Sequence, residues 1–207
     1  MIWESGPWKN ELLANARLLE QYAKSKRRSE RRSFCIERAI FLSAYVMRKL
    51  WESGKLSSSW EKRKVSCIFH PPKTRKPDRL SWHRIGEHYR LDTSKPDSLT
   101  AIEFCHRLIH SYVFMEVEGP GKIIAGFFFA SDQTKSRGLW FVKFIDVLTL
   151  LKETGRDYPS SSHMVRHPKT NEWRVWAGDG EPPSEWKKTA EAMAREYATV
   201  IARKERV

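Results

Sequence analysis

Cysteine is scarce in this chain. Cys35, Cys67 and Cys105 are an odd number, widely spaced, and each sits in an apolar stretch. That excludes a disulfide framework and leaves no CxxC pair for zinc or redox chemistry, so they read as buried thiols of a reducing compartment. Long apolar runs are lacking too, and nothing approaches the roughly 18 uninterrupted apolar residues of a membrane span. The opening Met1-Ile2-Trp3-Glu4-Ser5 has neither the basic nor the apolar stretch of a secretory signal, so a cytoplasmic location is expected. Phosphate-cradling glycine patterns, GxxxxGK[ST] or GxGxxG, are absent, which disfavours nucleotide hydrolysis and dinucleotide binding. The loop Ser160-Ser161-Ser162-His163 has no GxSxG elbow to activate a serine. Acidic residues are outnumbered: 25 Asp and Glu stand against 38 Lys and Arg, a net charge of +13.

What is present argues for a real core. The chain has 207 residues, 40% of them apolar, with ten Phe and nine Trp. A single domain of that length buries roughly 70% of the surface its unfolded chain exposes, with no need of staples. Leu12, Leu13, Ala16, Leu19 and Ala23 recur at helical spacing, which predicts a helix over 8–27. A second helix, over 33–53, is apolar nearly all round, with a narrow polar stripe of Arg38, Tyr45, Arg48 and Glu52 and Gly54 as its stop. Val65–Phe69 reads as a strand ended by Pro71-Pro72, and 70–96 as an irregular, proline-punctuated, basic segment.

A third helix is expected over 97–111, where Thr100-x-x-Glu103 has the pattern of a capping box. Runs at 112–117, 122–130 and 139–144 predict an antiparallel meander. A short helix over 145–154, a hairpin flanking Pro168–Asn171 and a last amphipathic helix over 184–205 follow. Helices and antiparallel strands are segregated, so the class is α+β. The expectation is one domain over 1–207: a helical pair within 1–60, the basic segment 70–96, a helix and small antiparallel sheet within 97–180, and the C-terminal helix.

Excess positive charge attracts polyanions, most often nucleic acid. Lys24, Lys26, Arg27, Arg28, Arg31 and Arg32 place six cations in nine residues, and Lys73, Arg75 and Lys76 begin a second cluster. Both are candidate phosphate contacts, with a solvated connection as the plain alternative. Further clusters are Lys62-Arg63-Lys64 and Arg203-Lys204-x-Arg206, and Trp60, Trp82, Tyr89, Trp173 and Trp176 lie near basic residues. Aromatic rings among cations suit single strands, because any base can stack on them.

The third helix carries Glu103, His106, Arg107 and His110 at i, i+3, i+4 and i+7, within an arc of roughly 100°. Metal binding is disfavoured. Arg107 stands where the His-x-x-x-His peptidases need a carboxylate, and no second Glu-x-x-His exists for a di-metal bundle. Metal-independent RNA cleavage fits better, with His106 and His110 moving protons and Arg107 holding phosphate. Over this helix alone the pattern resembles the HEPN ribonucleases, which also set an Arg and a His on one helix. Their motif has four to six residues between Arg and His where this chain has two, and their fold is all-helical. The plain alternative is a solvated stripe with a Glu103–Arg107 ion pair. The expected function is therefore nucleic-acid binding, RNA or single strands ahead of duplex DNA, alone or within a larger assembly, with no cofactor. The alternatives are a metal-independent ribonuclease, such as a defence or toxin component, and a basic protein meeting an acidic partner. The sequence leaves the oligomeric state open.

Overall fold

The computed structural model describes residues 2–25 and 29–204. In chain order the elements are α1 (Ser5–Lys24), α2 (Glu30–Glu52), β1 (Lys64–His70), α3 (Ile85–His88), β2 (Lys95–Thr100), α4 (Ala101–Ile109) and β3 (Ser111–Glu118). They continue with β4 (Ile124–Ser131), β5 (Leu139–Lys143), α5 (Phe144–Arg156), β6 (Ser161–Arg166), β7 (Trp173–Gly178) and α6 (Ser184–Lys204). The class is α+β: helices, a five-stranded antiparallel sheet of order β2-β1-β5-β4-β3, and the separate hairpin β6–β7.

Local chemistry sets the helix ends. Ser29 Oγ accepts from Arg32 N at 3.2 Å and Glu30 follows in the first turn, so α2 starts three residues before its apolar pattern does. At its far end Lys55 N donates to Leu50 O and Gly54 N to Trp51 O, both at 2.9 Å. This is a Schellman closure, and it needs the φ of +64° that Gly54 adopts without strain.

Period-two alternation divides the sheet. Phe127 and Phe129 of β4, Trp140 and Val142 of β5, and Val65 and Cys67 of β1 face the helices. There α4 and α5 lie on the sheet, and the α1–α2 pair closes over them with Leu12, Ala16, Leu19, Ile36, Ile40 and Met47 buried. Burying each such side chain contributes about 1.5–3 kcal/mol. On the opposite face Val113, Ala130 and Leu139 are covered by Tyr89 and Ile85, which come from the segment between β1 and β2. The expected buried thiols hold for Cys67 and Cys105, and Cys35 is half-buried; all three are free.

Three expectations change. Residues 97–100, expected to open the third helix, belong instead with 95 and 96 to an edge strand paired with β1, in the register Ile68↔Pro96 and Phe69↔Lys95. Proline is tolerated there because an edge strand leaves one side of its backbone unpaired. The helix starts at Ala101 behind a complete capping box, and His110 falls off its end as the C-cap residue. Segment 70–96 also contains α3 and a Pro72↔Tyr89 bridge, so it is far from wholly irregular. Finally, the apolar part of α2 is not buried all round: Phe34 and Leu42 are 57% and 50% exposed, beside Tyr45 of the polar stripe. Among the described residues no helix is long and apolar enough to cross a membrane.

Candidate functional site

The antiparallel order brings distant pieces of chain to one end of the sheet. His70 closes β1 there, Lys95 opens β2, Ser131 closes β4, Leu139 opens β5 and Ser111 opens β3. The segment 71–94, the β4–β5 loop 132–138 and the last turn of α4 therefore meet at that end. Hydrogen bonds join them: Tyr89 donates from its hydroxyl to Lys135 O at 2.8 Å, and Asp132 N donates to His110 O at 3.0 Å.

Segment 71–94 is held from within. His88 is fully buried, and its ring nitrogens meet the carbonyl oxygens of Arg75 at 3.2 Å and Ser81 at 2.9 Å. Tyr89 is equally buried, which pushes its phenol pKa up. Asp78 accepts from the backbone N–H of Leu80 and Ser81, both at 2.9 Å, and these bonds hold its carboxyl below the ordinary range. Lys73 Nζ donates to Gly86 O at 2.6 Å, and Arg75 pairs with Glu87 at 2.8 Å. Around this frame Lys76, Arg79, Arg84 and Arg90 are exposed, with Trp82 and His83 between them at a ring separation of 5.8 Å. The held backbone lies beneath all four cations, and Arg84 Nη1 also pairs with Glu87 at 3.6 Å.

Across the β4–β5 loop lies a cleft of about 320 Å³ between α2 and α4. Glu103, His106 and Arg107 line it, with Arg48, Trp51 and Gln133 opposite. His110 stands just outside, its ring 4.7 Å from that of His106. Burial first, then the neighbouring His110, Arg48 and Arg107 charges, lowers the His106 pKa, so its ring is neutral near pH 7. Glu103 is engaged by the cap: its carboxylate accepts from Thr100 N at 2.7 Å and Thr100 Oγ1 at 2.9 Å, which holds it below the usual carboxylate range. It therefore supports the helix start and is a poor proton carrier. Arg107 lies 3.8 Å above the Trp140 ring, whose Nε1 donates to Asp97 Oδ2 at 2.8 Å. Its Nη1 is buried with no hydrogen-bond partner.

The first basic run fares differently. Lys24 and Arg31 are exposed, while Lys26, Arg27 and Arg28 lie outside the described residues. Arg32, expected to contact phosphate, is instead 4% exposed; Nη1 pairs with Glu116 at 3.5 Å and Nε donates to Tyr22 O at 3.2 Å. The groove beside it, about 590 Å³, has Glu30, Glu37, Glu116 and Glu118 in its walls along with Trp82. Arg63 pairs with Glu153, and the side chains of Arg203 and Lys204 lie outside the described set. Of the aromatics near cations, Trp82 and Trp173 are exposed, whereas Trp60 is buried with Nε1 on Thr154 Oγ1 and Tyr89 is a core residue.

The spacing on α4 therefore located three cleft residues, and the structure adds Arg48, Trp51 and Gln133. Arg48 belonged to the polar stripe expected on α2, whereas nothing in the sequence marked Trp51 or Gln133 as its neighbours. Among the described residues no group of three or more His, Cys, Asp or Glu is placed to hold a metal ion. Compared with protein-family models, curated proteins and solved structures, the chain matches none.

Proposed function

We propose that the protein binds nucleic acid, single strands and RNA ahead of duplex DNA, on the surface made by segment 71–95 and loop 132–138, alone or as a subunit of a larger assembly. One observation carries this reading: Lys76, Arg79, Arg84 and Arg90 are exposed around Trp82 and His83 on a frame pinned by buried His88 and Tyr89. Cations on a held backbone neutralise phosphates without paying the full cost of ordering a loose loop, and an exposed ring offers any base a stacking face worth about 1–3 kcal/mol.

The test is the salt dependence of binding to a single-stranded oligonucleotide. Each neutralised phosphate contributes about −0.7 to the slope of log K against log [salt]. Replacing Arg79 and Arg84 together by alanine is expected to flatten the slope by about 1.4, two such contacts. A wild-type slope near zero would overturn the reading and favour an acidic protein partner.

A second reading, metal-independent RNA cleavage, is favoured by the His106–His110 pair at 4.7 Å beside the cleft. Neutral His106 takes the 2′-hydroxyl proton as that oxygen attacks phosphorus, and His110 gives a proton to the departing 5′-oxygen, leaving a 2′,3′-cyclic phosphate. It predicts EDTA-resistant cleavage of RNA that disappears in His110→Ala; intact RNA after incubation with the wild type removes it.

A further inference from the structure

We propose that the cleft between α2, α4 and loop 132–138 seats one nucleotide of the bound strand, its phosphate on Arg107 and His106 and its base against Trp51. This inference rests on the nucleic-acid reading and sharpens it, because it assigns a separate pocket to a single unpaired unit.

Four features carry it. The first is size: about 320 Å³ is at the small end of ligand pockets, enough for one nucleotide and far too little for a duplex. The second is the cation in the wall. Arg107 lines the cleft, and stacking 3.8 Å above the Trp140 ring fixes the plane of its guanidinium. A phosphate oxygen is the acceptor that an arginine fork suits best. The third is that the carboxylates in the wall are already engaged. Glu103 is turned to the Thr100 cap, and Glu52 binds Arg48 at 2.7 Å and Lys49 at 2.6 Å. Glu103 and Asp97 still favour the charged form of Arg107 through space.

The fourth is continuity with the cationic surface. Gln133 lines the cleft from the same loop that Tyr89 holds through Lys135 and that His110 holds through Asp132. A strand lying on segment 71–94 thus meets the cleft after crossing one loop. Trp51 and Ile102 supply apolar wall for a base, and the Gln133 amide donates and accepts toward a base edge. Neutral His106 adds one ring N–H beside Arg107.

Titration with AMP, adenosine and inorganic phosphate at matched ionic strength tests the assignment, with tryptophan fluorescence as the readout since Trp51 lines the cleft and Trp140 packs beneath Arg107. AMP is expected to bind at least about tenfold more tightly than either fragment, the worth of one good charged contact. Arg107→Gln is expected to weaken AMP by about tenfold or more and His106→Gln by less. Because Arg107 packs on Trp140, exposed Gln133→Ala is the check that cannot be confused with misfolding, and it too weakens AMP. Undetectable AMP binding, AMP no better than phosphate, or unchanged affinity in folded His106→Gln and Gln133→Ala overturns the nucleotide seat. Salt-dependent oligonucleotide binding that persists alongside such a result would leave the cationic surface standing, so the two failures are distinguishable.

Discussion

Two stretches of this chain look alike in composition and meet different surroundings. Lys24–Arg32 has six Lys and Arg in nine residues, and Lys73–Arg79 has four in seven. In the first, Arg32 turns inward to Glu116 and Tyr22 O, beside a groove walled by carboxylates. In the second, the inward-facing residues are His88 and Tyr89, and the cations around them stay in solvent. Cation density by itself therefore says little about an anion-binding surface. What matters is which neighbours are buried beneath the cations and whether they hold the backbone still.

The contrast can be broken most forcefully at His88. Replacing it with alanine removes two ring contacts to backbone carbonyls and opens a cavity at a fully buried site. A loss of about 2–4 kcal/mol in urea unfolding is expected, together with new protease cleavage between residues 73 and 84 and weaker oligonucleotide binding. A variant whose segment stayed protected would show that His88 is not the anchor. Next in size is Arg32→Ala. Glu116 keeps 21% of its side-chain surface, so the cost falls below that of a fully buried pair, at about 1–3 kcal/mol. The salt slope for oligonucleotide binding stays at its wild-type value, and a flattened slope would put Arg32 back among the phosphate contacts. Smallest in stability is the Arg79/Arg84 alanine pair, expected to shift unfolding by no more than about 0.5 kcal/mol, since exposed side chains contribute little. A larger shift would mean that these arginines build the loop instead of serving it.

Much of the fold was legible in the order of residues. The helical stripe of Leu12, Ala16 and Leu19, the capping pair Thr100 and Glu103, the stop at Gly54 and the alternation of β4 and β5 are all written within a few residues of chain. Strand β2 was not, because Lys95-Pro96-Asp97-Ser98 has no strand propensity of its own; its pairing comes from β1, across the whole 71–94 segment. The candidate site divides in the same way. Helical spacing put Glu103, His106 and Arg107 on one arc, but the opposite wall of Arg48, Trp51 and Gln133 comes from α2 and a sheet loop. His110 was placed on the helix by extrapolating its period, and the helix ends one residue earlier.

Local sequence determined the class, most helix ends, the amount of positive charge and the chemistry available on α4. The tertiary structure alone decided which cations remain in solvent, because burial and hydrogen-bond partners are supplied by remote segments: Glu116 for Arg32, the sheet's open face for Tyr89, Trp140 for Arg107. A charged side chain is stable inside only where such a partner waits, and nothing in the residues beside it in sequence reveals whether one does.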